Sequence, residues 1–134
     1  MRSGSYWLKT IGHARGPLPD RWVAEGRTAF LVRTGFPRRP RIAPGDRLVY
    51  YAAVWRRVFA VVEAVEEPVV LDGAPERWPW TVAVEPLLVI PVLDVAPPVE
   101  AIGVAARSLS QHSHIRIGAD HYARAVEAIA SVAG

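Results

Sequence analysis

Cysteine is missing from all 134 residues, which excludes disulfides, thiolate metal sites and a cysteine nucleophile. Lysine is nearly missing too: Lys9 stands alone beside fifteen arginines. No apolar run approaches the roughly 18 residues that a membrane-crossing helix needs. The nearest candidate, RVFAVVEAVEEPVV at 57–70, is interrupted by glutamates. The opening MRSGSYWLKT has no apolar core of the kind that marks a signal peptide. No P-loop, G-x-S-x-G or H-E-x-x-H pattern occurs. The expectation is a cytoplasmic protein without membrane contact and without a conventional catalytic motif.

What is present describes one globular domain over residues 1–134. The chain is 51% hydrophobic and 22% charged, enough apolar material for a real core and too little net charge for disorder. The charge is unevenly spread. Residues 1–62 hold twelve basic side chains against Asp20, Glu25 and Asp46, a net of +9. Residues 63–134 hold four against ten acidic ones, a net of −6. A basic first half suits a polyanion such as nucleic acid, and arginine forks suit phosphate. A GC-rich coding bias accounts for the same arginine excess. The acidic second half offers a surface for a protein partner.

Period-two patterning predicts several strands. SYWLKT is the first; APGDRLVYYAA is a turn feeding the next, with Leu48, Tyr50 and Ala52 on one face and Val49 and Tyr51 on the other. RRVFAVVEAV reads as a strand covered on both faces. From Trp80 the alternation Trp80, Val82, Val84 marks a further strand, opened by Pro79, where no ladder bond is lost. Pro86 requires an edge or a bulge. PLPDRWVAEG predicts a short helix with Asp20 as N-cap and Gly26 as stop. TGFPRRPR reads as an exposed loop and DGAPERWP as a long turn. PPVEAIGVAARS suggests a short helix after Pro98, HIRI a brief strand, and GADHYARAVEAIASVAG a closing helix with Tyr122, Val126 and Ile129 on one face. About six short strands with flanking helices make an α+β fold, a small mixed β-barrel.

The order YWL, PGDRLVYYAA, VVEAVEEPVV, RWPWTVAVEPL and SHIRIGADHYARAVEAI resembles the EVE domain family across residues 6–130. That family is PUA-like and related to the YTH and ASCH domains. The segment RTAFLVRTGFPRRPRIAPGD and Gly118 depart from the family's usual pattern. The resemblance implies a non-catalytic module that reads a modified nucleobase, such as modified cytosine, in DNA or RNA through an aromatic pocket.

The residues support such a pocket on their own terms. Stacking a base on an aromatic ring contributes roughly 1–3 kcal/mol, and flipping a base from a duplex costs a few kcal/mol. One ring is therefore insufficient without phosphate contacts. A modifying methyl adds roughly 0.8 kcal/mol, so selectivity needs polar groups at the base edge. Of five tryptophans, Trp80 continues an in-facing series and belongs to the core. Trp7, Trp22, Trp55 and Trp78, with Tyr51 and Ser108, are the candidate pocket residues. Trp78 and Pro79 brace the rim. Arg38, Arg39 and Arg41 form the strongest basic cluster; with Arg33, Arg56 and Arg57 they are candidate phosphate contacts, which position nucleic acid without reading it. His112 and His114 share a face if extended, but no third ligand stands at motif spacing, so neither a metal nor a cofactor is expected.

Two other readings follow from the same residues. Lys9 followed by Thr10, with Glu63 as partner, suits an ASCH-like amidohydrolase acting on modified nucleosides. The acidic second half suits a partner-binding module of a defence or toxin–antitoxin system.

Overall fold

The computed structural model describes residues 4–109 and 112–133. Its strands are β1 (Tyr6–Ile11), β2 (Arg33–Phe36), β3 (Arg47–Ala52), β4 (Arg57–Ala64), β5 (Val69–Val70), β6 (Trp80–Val89) and β7 (His114–Ile117), followed by the helix α1 (Ala119–Ala133). They form one curled sheet in the order β2–β6–β4–β3–β1–β7, with β5 added on β6. Only β1 against β3 is parallel; every other pairing runs antiparallel. The α+β class and mixed sheet expected from the patterning are present; the expected small barrel is a half-barrel, with one short strand more. Among the described residues no helix is long and apolar enough to cross a membrane.

β4 is central, between β3 and β6, and its run from Val58 to Val62 is buried throughout. A continuous apolar segment suits that position because both of its faces meet protein. Two bulges curl the sheet, since an unpaired residue bends its strand and sharpens the twist. One leaves Phe59 without a partner between the pairs Tyr51–Val58 and Tyr50–Ala60. The other leaves Leu87 unpaired between Val61–Leu88 and Val62–Pro86. Pro86 thus sits at a bulge, as a proline within a strand must.

The curl brings the two edge strands together through side chains rather than a ladder. Phe36 on β2 meets His114 on β7 edge to face at 5.0 Å. Trp22 fills the interior against Phe30 at 5.2 Å and Phe59 at 5.2 Å, and Tyr50 lies 6.1 Å from Phe59. On the opposite face α1 packs down: Tyr122 stacks on Tyr6 at 4.3 Å, and Ala125 and Ile129 are buried. Arg47 ties the helix to the sheet by donating to Tyr122 Oη at 2.9 Å and Glu63 Oε1 at 2.8 Å.

Several expectations need correction. Residues 20–26 form a single turn, not a helix. Gly26, at φ +74°, does stop it, with Arg27 N–H reaching back to the Trp22 carbonyl at 2.9 Å. Asp20 caps nothing local; its Oδ1 accepts from the Asp94 N–H at 2.8 Å, across the fold. Thr34, Gly35 and Phe36 belong to β2, and only residues 37–39 and 41 of that supposed loop are exposed. The helix after Pro98 is a pair of 3₁₀ turns, Val99–Ile102 and Ala106–Leu109. The halves of opposite charge interleave, because β6 lies between β2 and β4 and β7 pairs beside β1. The net +9 and −6 therefore do not separate into two lobes.

Candidate ligand cleft

A cleft opens where β1 ends, in two contiguous lobes of about 710 Å³ and 320 Å³. Both fall within the range of small-ligand sites. Thr10, Gly12, His13 and Trp78 line both lobes, so Trp78 borders each of them. The larger lobe adds Tyr51, Arg56 and His112, and the smaller adds Lys9, Phe30 and Arg33. Neither lobe has an aspartate or glutamate in its wall. Its charged side chains are all cationic, so it suits an electron-rich or anionic ligand.

Lys9 is the least ordinary residue here. Its register against Tyr50 and His114 turns it inward, and only 4% of it is exposed. Its Nζ donates to the Thr10 carbonyl at 2.9 Å and lies 4.8 Å from the Phe36 ring centroid and 5.5 Å from that of Trp78. Burial without a carboxylate partner pushes its pKa down to about 7. His114, tilted against Trp7 at 5.4 Å, is held down at about 4, mainly by burial and then by the charges of Lys9 and His112. The imidazole is therefore neutral at physiological pH, with Nδ1 2.7 Å from Ser113 Oγ.

The β3–β4 turn supplies the larger lobe's mouth under strain. Val54 has φ +74° and Arg56 φ +58°, and a β-branched residue in the left-handed region is a genuine outlier. The turn is pinned by Arg56 N–H to the Ala52 carbonyl at 2.9 Å and by Trp55 Nε1 to the Leu18 carbonyl at 2.8 Å. Strain held this way belongs with functional sites. Val54→Gly should stabilise the protein by about 1 kcal/mol, because relief of the left-handed penalty exceeds glycine's entropy cost. A fall in the denaturation midpoint would show that Val54 is not strained.

The candidate pocket residues divide. Trp78, 41% exposed, and Tyr51 face the cleft. Trp22 does not: it is fully buried, with Nε1 bonded to the Ile90 carbonyl at 3.1 Å, so its ring faces are covered by core. Trp7 is 8% exposed, its Nε1 held by Asp46 Oδ2 at 3.0 Å, and it lies outside the cleft wall. Trp55 is half-buried and anchors the turn rather than lining it. Ser108 is exposed outside the wall, and Ser113 takes the place expected of it. Ser110 of the same hydroxyl-rich segment lies outside the described residues.

The arginines divide as well. Arg56 lines the mouth; Arg33 lines the smaller lobe but is paired with Glu66 at 2.9 Å. Arg57 is structural, its Nη1 donating to the Asp94 and Ala96 carbonyls at 3.0 and 2.7 Å. Arg38, Arg39 and Arg41 are exposed, directly after the wall residue Pro37, and Arg39 lies over Trp80 at 5.4 Å. The hydrolase pair is not formed: Glu63 is opposite Arg47, three residues along β3 from the Lys9 partner Tyr50 and on the other face. Among the described residues no three His, Asp or Glu side chains cluster to hold a metal. Pattern reading passed over His13 and Val54 as cleft residues; nothing local in the sequence marks them.

No protein-family model and no curated protein matches the chain. Solved structures do match in fold. A protein of Rhodopseudomonas palustris determined by NMR is 16% identical with TM-score 0.55, over 96% of this chain and 94% of that one. A hypothetical protein from Leishmania major is 13% identical with TM-score 0.59, over 96% of each chain. The Mmi1 YTH domain in complex with RNA is 7% identical with TM-score 0.61, over 96% of this chain and 79% of that one. The chain has the YTH-like fold.

Proposed function

We propose that this protein is a non-catalytic, EVE-type nucleic-acid-binding module that takes one modified base into the cleft against Trp78. The observation that carries this reading is a partly exposed indole in a cleft walled by cations and no carboxylate, in a fold shared with an RNA-bound YTH domain. Trp78 supplies the stacking face. Tyr51 and Phe30 give apolar area on either side, and Arg38, Arg39, Arg41 and Arg56 take the phosphates.

Trp78→Ala should weaken binding to a single-stranded oligonucleotide by about tenfold, given the usual contribution of one base stack. Its fold should survive, because the ring is 41% exposed. Replacing Arg38, Arg39 and Arg41 together by alanine should flatten the dependence of log affinity on log salt by about 2, at roughly 0.7 for each phosphate contact on a single strand. Fluorescence anisotropy across a salt series measures both. An unchanged affinity in Trp78→Ala refutes the stacking site. Equal affinity for a modified and an unmodified strand would leave a nucleic-acid binder that does not read modification.

A further inference from the structure

Resting on that nucleic-acid reading, we propose that the cleft selects a keto-bearing heterocycle, one whose inserted edge presents hydrogen-bond acceptors, and that Lys9 is the residue that reads it. Lys9 Nζ has three donors when protonated, and the protein takes up one of them, through the Thr10 carbonyl at 2.9 Å. The ion pairs among the described residues are Arg33–Glu66 and Arg47–Glu63, so no acid satisfies the amine. Lys9 is only 4% exposed, and it borders the smaller lobe, the side from which a ligand would arrive. The remaining donors are thus held ready for an acceptor that the protein lacks and a ligand supplies.

The position of Trp78 fixes which part of a ligand meets them. Nζ is 5.5 Å from the centroid of the Trp78 indole, and Trp78 borders both lobes. Nζ lies over one face of that indole, so a ring stacked at about 3.5 Å on the same face has room only beside the amine and meets it with its edge. Guanine O6 with N7, or the O4 of uracil and thymine, then accepts from Lys9, and lysine on guanine is among the commonest specific contacts in nucleic-acid recognition. Presented by the position that carries O6 or O4, adenine and cytosine would instead point an amino donor at a donor. A carboxylate is what receives the cytosine amino group elsewhere, and neither lobe has one. The base class is therefore keto, in place of the cytosine implied by the family resemblance.

The test uses single strands with abasic flanks and one central base (guanine, uracil, adenine or cytosine), measured at pH 6, where Nζ carries its proton. The keto bases should bind about tenfold more tightly than the amino bases, the usual discrimination of one good edge contact. Lys9→Gln adds an acceptor to the site and should cancel or reverse that ratio while binding persists. Lys9→Met, with neither group, should flatten it. Far-UV circular dichroism confirms the fold of both variants, which remove a charge from the interior. A preference for amino bases in the native protein, no preference at all, or an unchanged ratio in Lys9→Gln overturns the assignment of Lys9 and leaves nucleic-acid binding standing. If no strand binds at all, the nucleic-acid reading falls and this inference falls with it.

Discussion

Lys9→Met should raise stability at pH 7 by roughly 2–4 kcal/mol, an increase of about 10 °C in melting temperature for a domain of this size. The folded-state pKa of about 7 lies below the ordinary 10.5. Between those values the unfolded chain holds a proton that the folded chain has released, so native stability rises with pH from about 7 to about 10.5. At pH 7 and below, almost the whole penalty of burying the ammonium is present, about 4 kcal/mol for a shift of this size. The rings of Phe36 and Trp78 return about 1–2 kcal/mol of it through their attraction for the cation. Methionine is unbranched, only one atom shorter than lysine and without charge, so the variant escapes the penalty. Its advantage over the native protein should shrink steadily as pH approaches 10. Denaturant unfolding of both proteins at pH 7 and pH 10 measures this. An advantage that is the same at both values would show that Lys9 is not destabilised by burial. A residue so costly to keep inside needs a reason to be there, and a ligand that takes up its two spare donors is one.

The fold was largely legible because its signals are local. The alternation in β3, the unbroken apolar run of β4 and the spacing of Tyr122, Val126 and Ile129 in α1 each depend on neighbours along the chain. Pro86 announced its bulge by the bond it cannot make. The site was less legible because its parts are decided by contacts distant in sequence. Trp22 lies in a polar-looking segment that reads as a surface helix. Its ring is nevertheless swallowed by Phe30 and Phe59, and the Asp20 that would cap such a helix serves the Asp94 backbone instead. Arg57 looks identical to Arg56 in sequence; only the carbonyls of Asp94 and Ala96, almost forty residues on, distinguish a structural arginine from a cleft arginine. Trp78 lies in the turn ahead of β6, which begins at Trp80 and not at Pro79, so its exposure follows from its place before the strand. Lys9 also left a trace: it falls between Trp7 and Ile11, two apolar residues at period two, so the face it shares was readable even though its partners were not.

Asp46→Ala should cost about 4 kcal/mol, the largest loss expected of any single polar substitution in the described chain. Asp46 is wholly buried, and its carboxyl oxygens accept three N–H groups. Oδ1 takes the Ser5 backbone at 2.8 Å, and Oδ2 takes Trp7 Nε1 and the Ala43 backbone, each at 3.0 Å. Each buried donor left without an acceptor costs roughly 1–3 kcal/mol. The indole bears most of that, because Ser5 and Ala43 are half-buried and water can reach them. Asp46→Asn keeps one acceptor but turns an amide NH₂ toward a donor, so it should lose about half as much. The consequence extends to the cleft. The same side chain that closes the turn before β3 also grips the start of β1, whose parallel register runs from Tyr6–Arg47 to Ile11–Ala52 and places Lys9 beside Tyr50. A loosened register exposes the wrong face of β1, since a slip of one residue exchanges the two sets of side chains. Asp46→Asn, still folded, should therefore lose near-UV circular dichroism from Trp7 and bind less tightly than the native protein. If Asp46→Ala loses under 1 kcal/mol in urea unfolding, the turn does not set the register and the orientation of Lys9 has another cause.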